Sequence, residues 1–369
     1  MAAEEVTRIR NIGIVGQGGV GKTLLADALI LAAGGATRLG RTDDGTSLFD
    51  IEPEEVRRKI TISSALHHVG WRKHELTIVD TPGYAVFLAE TRAALGALTG
   101  AILVLSPHGE VKVELERVFA WCGELGVPAI GFMSRLDREE TDVAAALAPV
   151  AHALDTKVVP VAIPIGSMGD LRGYVDLVTM KAMTASADFG TPQAGPIPDD
   201  LTATAGEYRD RLLEAVAETD DTLLEHYLEN GELSEEEIRR GLRHGVMGRT
   251  FLPVLVGAAA RGIGVSALLD AAVDLLASPA DLAPIAAIDA KTGAAVERPA
   301  DPGAPFAAFV FKTLNDPFAG KLSVFRVVSG RATSDSIVLN ASHGSKERFG
   351  QLLRLEGKKQ APIAAAIAG

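Results

Sequence analysis

The chain has 369 residues, of which 47% are apolar and 23% charged, with one cysteine and a formal net charge of −12. That is enough apolar side chain for two or three packed domains and excludes wholesale disorder, while the single Cys122 excludes an internal disulfide framework and a cysteine-based zinc cluster. The acidic start Met1-Ala2-Ala3-Glu4-Glu5 is not a secretory signal, no apolar run is long enough for a membrane span, and the acidic balance argues against coating a nucleic-acid duplex.

Short β-branched runs predict strands over 12–15, 75–79, 101–105, 129–133, 158–163 and 251–256. Apolar residues spaced by three and four predict helices over 22–33, 85–98, 111–125, 142–154 and 264–276. Alternation of this kind reads as an α/β fold, a doubly wound sheet. The segment 34–64 is polar, weakly periodic and expected to have little apolar anchoring. After Gly166 the alternation breaks. Residues 186–200 read as loop, and 207–240 as two or three acidic helices with a solvated face. Residues 277–303 carry Pro279, Pro284, Pro299 and Pro302 and read as a linker. Alternating segments over 306–312, 322–328 and 336–339, separated by Asn315-Asp316-Pro317, Ser329-Gly330 and His343-Gly344, predict an all-β region of four or five strands. The stretch 361–369 stops without a turn, so this region is expected to be a partial β-barrel. The organisation read from these shifts is a first, α/β domain over 1–285 with an insert at about 166–250, a linker over 286–302 and a partial barrel over 303–369.

Gly16-Gln17-Gly18-Gly19-Val20-Gly21-Lys22-Thr23 follows a predicted strand and opens a predicted helix. Glycines there let successive backbone N–H groups turn inward on phosphate oxygens, and the helix N-terminus adds its positive dipole end. Lys22 is placed to neutralise the β- and γ-phosphates and the Thr23 hydroxyl to ligate Mg²⁺.

A second strand ends in Asp80-Thr81-Pro82-Gly83, where Asp80 can hold Mg²⁺ through water and the Gly83 N–H can sense a γ-phosphate. Lys59-Ile60-Thr61-Ile62 offers a hydroxyl, on Thr61, that could reach the metal when the intervening loop closes. A third strand runs into Ser134-Arg135-Leu136-Asp137. The Asp137 carboxylate could accept both N1–H and N2–H of guanine, a donor pair adenine lacks. Equally, Asp137 could cap a following helix. The eight histidines form no metal pattern, and Cys122 reads as a buried small hydrophobe.

These residues, in this order, resemble the translational GTPases of the elongation factor G type, and Arg38-Leu39-Gly40 with Asp44-Gly45-Thr46 and Asp50 resembles the early switch region of their divergent elongation factor G-like paralogues. Asn11-Ile12-Gly13-Ile14, Lys59-Ile60-Thr61-Ile62, Asp80-Thr81-Pro82-Gly83, Ser134-Arg135-Leu136-Asp137-Arg138-Glu139 and Pro253-Val254-Leu255-Val256-Gly257-Ala258-Ala259 carry the likeness. Phe311-Lys312-Thr313, Asp316-Pro317-Phe318 and Gly320-Lys321-Leu322 look like the opening of the family's second domain. The resemblance implies GTP/GDP and Mg²⁺ as ligands, with Thr23, Thr61 and Asp80 on the metal, and GTP hydrolysis assisted by Lys22. It implies nucleotide contacts from Gly16 through Thr23, from Asp80 and Gly83, and from Ser134, Arg135, Asp137, Ala258 and the backbone N–H of Ala259. It further implies a monomeric cytoplasmic protein whose partner is the ribosome, including a stalk protein at the acidic insert, with neither a membrane nor sequence-specific DNA as partner.

Several positions depart from the family pattern. Gly19 stands where an Asp is usual, Ser134-Arg135 where Asn-Lys is usual, and Ala258 where a Ser is usual. Tyr84 replaces the His thought to orient the attacking water. A phenol can position water but is a poor base near neutral pH. The implied catalytic pair is therefore Lys22 and Tyr84, with slow hydrolysis. The rival is a GTP-reading, ribosome-binding switch that does not turn nucleotide over. A P-loop ATPase is disfavoured by Asp137.

Overall fold

The computed structural model describes residues 2–138, 140–186, 189–316 and 320–369. Glu139 of the third motif, and Pro317 and Phe318 of the second-domain motif, lie outside the described residues.

The strands of the first domain are β1 (Ile9–Val15), β2 (Ala65–Trp71), β3 (His74–Asp80), β4 (Gly100–Leu105), β5 (Ala129–Met133), β6 (Lys157–Pro160), β7 (Ala162–Ile165), β8 (Gly173–Asp176), β9 (Lys181–Thr184), β10 (Gln193–Gly195) and β11 (Phe251–Val256). Seven of them form one sheet in the order β2-β3-β1-β4-β5-β11-β6. Each neighbouring pair is parallel except β2 with β3, which run antiparallel at the edge. β4 shows why both faces are covered: Ile102 and Val104 belong to a cluster with Leu25, Leu29, Leu268 and Leu269, whereas Leu103 and Leu105 belong to one with Leu95, Leu115, Val118 and Val150. Side chains alternate across a strand, so a run that is apolar throughout needs helices on both sides. Helices Lys22–Ala32 and Val265–Leu275 supply one layer, and Leu88–Leu95, Val113–Glu124 and Val143–Leu154 the other.

Between β6 and β11 the chain builds a separate four-stranded antiparallel sheet, β10-β9-β8-β7, and three helices, Asp199–Ala217, Asp221–Asn230 and Glu235–Gly248. The acidic stretch is therefore three helices, and the first begins inside the segment read as loop. The predicted strand over 158–163 is two strands, one in each sheet, because the chain changes partner between Pro160 and Ala162. The helix expected over 85–98 is a 3₁₀ turn, Ala85–Phe87, followed by a shorter α-helix.

Segment 34–64 is better anchored than its weak periodicity suggests. Phe49 is fully buried, Leu48 N donates to Asp27 Oδ1 at 2.9 Å, and Pro53–Arg58 forms a short helix. The buried Glu55 accepts from Ile62 N and Ser63 N at 2.8 and 2.9 Å. The linker also carries structure, a hairpin of Ile285–Ile288 against Ala295–Arg298. Beyond it lie eight strands among the described residues, more than the four or five expected, paired as four antiparallel ribbons. The longest ribbon is Ala307–Asp316 with Gly320–Ser329. No helix among the described residues is long and apolar enough to cross a membrane.

Candidate functional site

The phosphate loop lies between the end of β1 and helix Lys22–Ala32, at the carboxyl edge of the parallel strands. Gly16, Gly19 and Gly21 have φ of 141°, 82° and 94°, values that side chains with a Cβ rarely adopt. No side chain caps this helix, so its first N–H groups remain available to an anion. The Gln17 side chain points away from the loop: its amide donates to Glu110 O at 3.0 Å and accepts from Lys112 N at 2.8 Å. Val20 is buried.

Lys22 is buried beneath the loop, and its Nζ donates to Gln17 O at 2.9 Å. Gly83 comes so close that a Cβ there would overlap this ammonium. Burial lowers the Lys22 pKa and raises that of Asp80, and each charge partly offsets the shift of the other.

Three oxygens from three segments meet beside Lys22. Thr23 Oγ1 donates to Asp80 Oδ2 at 2.7 Å, Thr61 Oγ1 donates to the same oxygen at 3.3 Å, and the two hydroxyls lie 2.9 Å apart. Asp80 is fully buried, and its Oδ1 has no hydrogen-bond partner among the described residues. An unpartnered buried carboxylate oxygen beside two hydroxyls is a hard oxygen set that suits a small divalent cation completed by waters and phosphate. Thr61 is already closed onto this set.

Tyr84 follows Gly83 and is 43% exposed. Its ring lies over Gly18, where a Cβ would sit 2.8 Å from Tyr84 Cε1.

On the other side of the loop, Ser134 and Arg135 face Gly21: a Cβ there would be 3.9 Å from Ser134 Oγ and 3.4 Å from Arg135 Nε. Arg135 has φ 66°. This turn is pinned by Ser134 N donating to Leu105 O and Leu136 N to Gly257 O, at 3.3 and 3.4 Å. The cap of the following helix is Asp142, whose carboxylate accepts from Ala145 N at 3.1 Å. That leaves the half-buried Asp137 in the cleft rather than at a helix end. Ala258 is fully buried and bridges to Ile263, and Ala259 starts a 3₁₀ turn.

One cleft of about 170 Å³ joins these pieces. Gly18, Gly19, Gly21, Lys22, Thr23, Thr61, Gly83, Tyr84, Ser134, Arg135, Asp137 and Ala259 line it. Gly16, Gln17, Val20, Asp80 and Ala258 lie behind the wall and shape it. Arg41, Thr42 and Asp43 also line the cleft, although sequence reasoning assigned them nothing. The available signal was a cation beside two oxygen-bearing side chains in the segment that leads to Thr61.

The elongation factor Tu GTP binding domain family matches residues 7–278, and elongation factor G domain 2 matches residues 305–369. A crystal structure of a protein from Thermus thermophilus is similar, with 28% identity and a TM-score of 0.84, over 98% of this chain and 51% of that one. The chain thus spans about half the length of that protein. With a phosphate loop, a closed threonine–aspartate cluster and the turn that carries Asp137 around one cleft, and with the family match over most of its length, this chain belongs to the elongation factor Tu GTP-binding domain family, followed by an elongation factor G second domain.

Proposed function

We propose that this chain works as a Mg²⁺-dependent GTP-binding translation factor of the elongation factor G type, monomeric and cytoplasmic, that acts on the ribosome and hydrolyses GTP slowly. The observation that carries the reading is the single cleft, in which Lys22, Thr23, Thr61 and Asp137 face one volume while Asp80 holds both threonines from behind. A nucleotide fits with its phosphates on the loop and its base at the turn Ser134–Asp137. Asp137 accepts from the guanine N1–H and N2–H, the Arg135 stem covers the base face, and the Ala259 N–H meets guanine O6. The proposed domain limits are 1–285, with the insert at about 166–250, and 303–369 after a linker.

Mg²⁺ would be held by Thr23, Thr61 and, through water, Asp80, and would supply charge neutralisation at the β- and γ-phosphates. Lys22 adds a fixed positive charge in a dry position where it needs no reorganisation as charge develops. The Gly83 N–H touches the γ-phosphate. Tyr84 holds the attacking water without removing its proton, which keeps turnover low.

Calorimetric titration with GDP, a GTP analogue and ADP, followed by phosphate release from GTP with and without ribosomes, tests the reading. Tight guanine binding with slow, ribosome-responsive release is expected. Equal affinities for GDP and ADP would sink the guanine assignment, and no release under any condition would make the chain a non-hydrolysing switch.

A further inference from the structure

Lys312 lies on strand Ala307–Asp316 of the second domain, yet it is almost wholly buried against the first. Its Nζ donates to Ser64 O at 2.6 Å, to Glu90 Oε2 at 3.1 Å and to Ser63 Oγ. An ammonium has three donors, and here three acceptors take them. Burying an ammonium is costly unless its partners are complete, so Lys312 can sit here only while Ser63, Ser64 and Glu90 keep this mutual spacing.

The partners come from the stretches that follow two of the three segments of the cation site, those of Thr61 and Asp80. Ser63 and Ser64 lie two and three residues after Thr61, while Glu90 lies in the first turn of helix Leu88–Leu95, six residues after Tyr84. Ser64 N donates to the same Glu90 oxygen at 3.4 Å, so the carboxylate ties both segments to the lysine. A second tether lies two residues on: Gly357 N, at the tip of hairpin Leu353–Glu356 with Lys359–Pro362, donates to Leu66 O at 2.8 Å.

We propose that Lys312 is a positioning residue that makes closure of Thr61 over the cation site and seating of the β domain one equilibrium. The proposal rests on the guanine-nucleotide reading. A triphosphate with Mg²⁺ engages Thr61 and favours the seated arrangement, whereas a diphosphate makes little use of Thr61. Lys312 therefore contributes to the preference for triphosphate over diphosphate without touching either.

The test compares Lys312→Met, which keeps the apolar stem and removes the charge, with the unaltered chain. Each is titrated with GDP and with GTPγS in Mg²⁺, and thermal unfolding is recorded alongside. Lys312→Met should weaken GTPγS binding by at least about fivefold and leave GDP within about twofold, the lower range of an ordinary coupling between sites. Lys312→Arg should restore part of the preference. If Lys312→Met fails to fold, Glu90→Gln, at a half-exposed position, carries the same comparison. An unchanged ratio of the two affinities, or equal weakening of both, overturns the positioning role. Failure of the unaltered chain to bind either nucleotide overturns the functional reading and this proposal with it. Normal binding with an unchanged ratio overturns the proposal alone.

Discussion

The ring of Tyr84 rests on the backbone of Gly18, so close that any side chain at position 18 would have to displace it. The residue thus covers the phosphate loop near the expected γ-phosphate position. Its phenol can hold a water there but is a weak base. Replacing it by His should raise phosphate release roughly a hundredfold, the lower end of what a competent acid–base group contributes. Single-turnover release from GTP with ribosomes present measures this. Rapid release by the unaltered chain, unchanged by the substitution, would mean that another group orients the water.

Lys22→Ala removes the buried charge nearest the expected β-phosphate. Hydrogen bonds to charged groups carry about 2 kcal/mol, so GDP affinity should fall about thirtyfold. Calorimetry reads the change, and wild-type affinity in the variant would refute the phosphate-loop reading.

Asp137 lines the cleft and does not cap the next helix, which Asp142 caps. Asp137→Ala should cost about 1–3 kcal/mol of GDP binding and leave thermal stability nearly unchanged. A variant with undiminished GDP affinity would remove Asp137 from the site.

Stability should depend on pH through Asp27. Burial is the main cause that raises its pKa from 3.8 to about 6, against hydrogen bonds from Ser47 and Leu48. A carboxyl with a raised folded-state pKa binds more protons folded than unfolded between those two values, so its effect is a loss of stability as pH climbs through that window. Asp27→Asn should keep the bond from Leu48 N and recover roughly 1–3 kcal/mol at pH 8 relative to pH 4. Urea unfolding of both proteins at the two pH values decides it; identical pH dependence would exclude Asp27 as the source.

The contiguous motifs of the site were legible in the residues themselves, the separate ones such as Thr61, Asp137 and Ala259 through their order along the chain, and the contacts that anchor the surrounding segments were not. The phosphate loop and Asp80-Thr81-Pro82-Gly83 are contiguous, and their chemistry lies in consecutive backbone groups that strand-to-helix and strand-to-turn junctions position almost alone. β2 escaped notice because His67-His68 and Gly70-Trp71 break any apolar pattern, and its strand character comes from pairing with β3. The anchoring of segment 34–64 depends on Phe49 entering the core and on Asp27 and Glu55 accepting backbone N–H groups, contacts with no local periodic signature. Likewise, Lys312 read as an ordinary strand residue, since its acceptors lie more than 200 positions away.

β2 is an edge strand, and the hairpin at Leu353–Pro362 lies along it, with Gly357 bonded to Leu66 and Arg354 paired to Glu75 at 3.0 Å. Unguarded strand edges recruit further strands from other molecules. The β domain is thus also a guard against self-association: a version of this protein shortened to residues 1–302 would expose that edge and should form oligomers as its concentration rises, even with its nucleotide cleft intact.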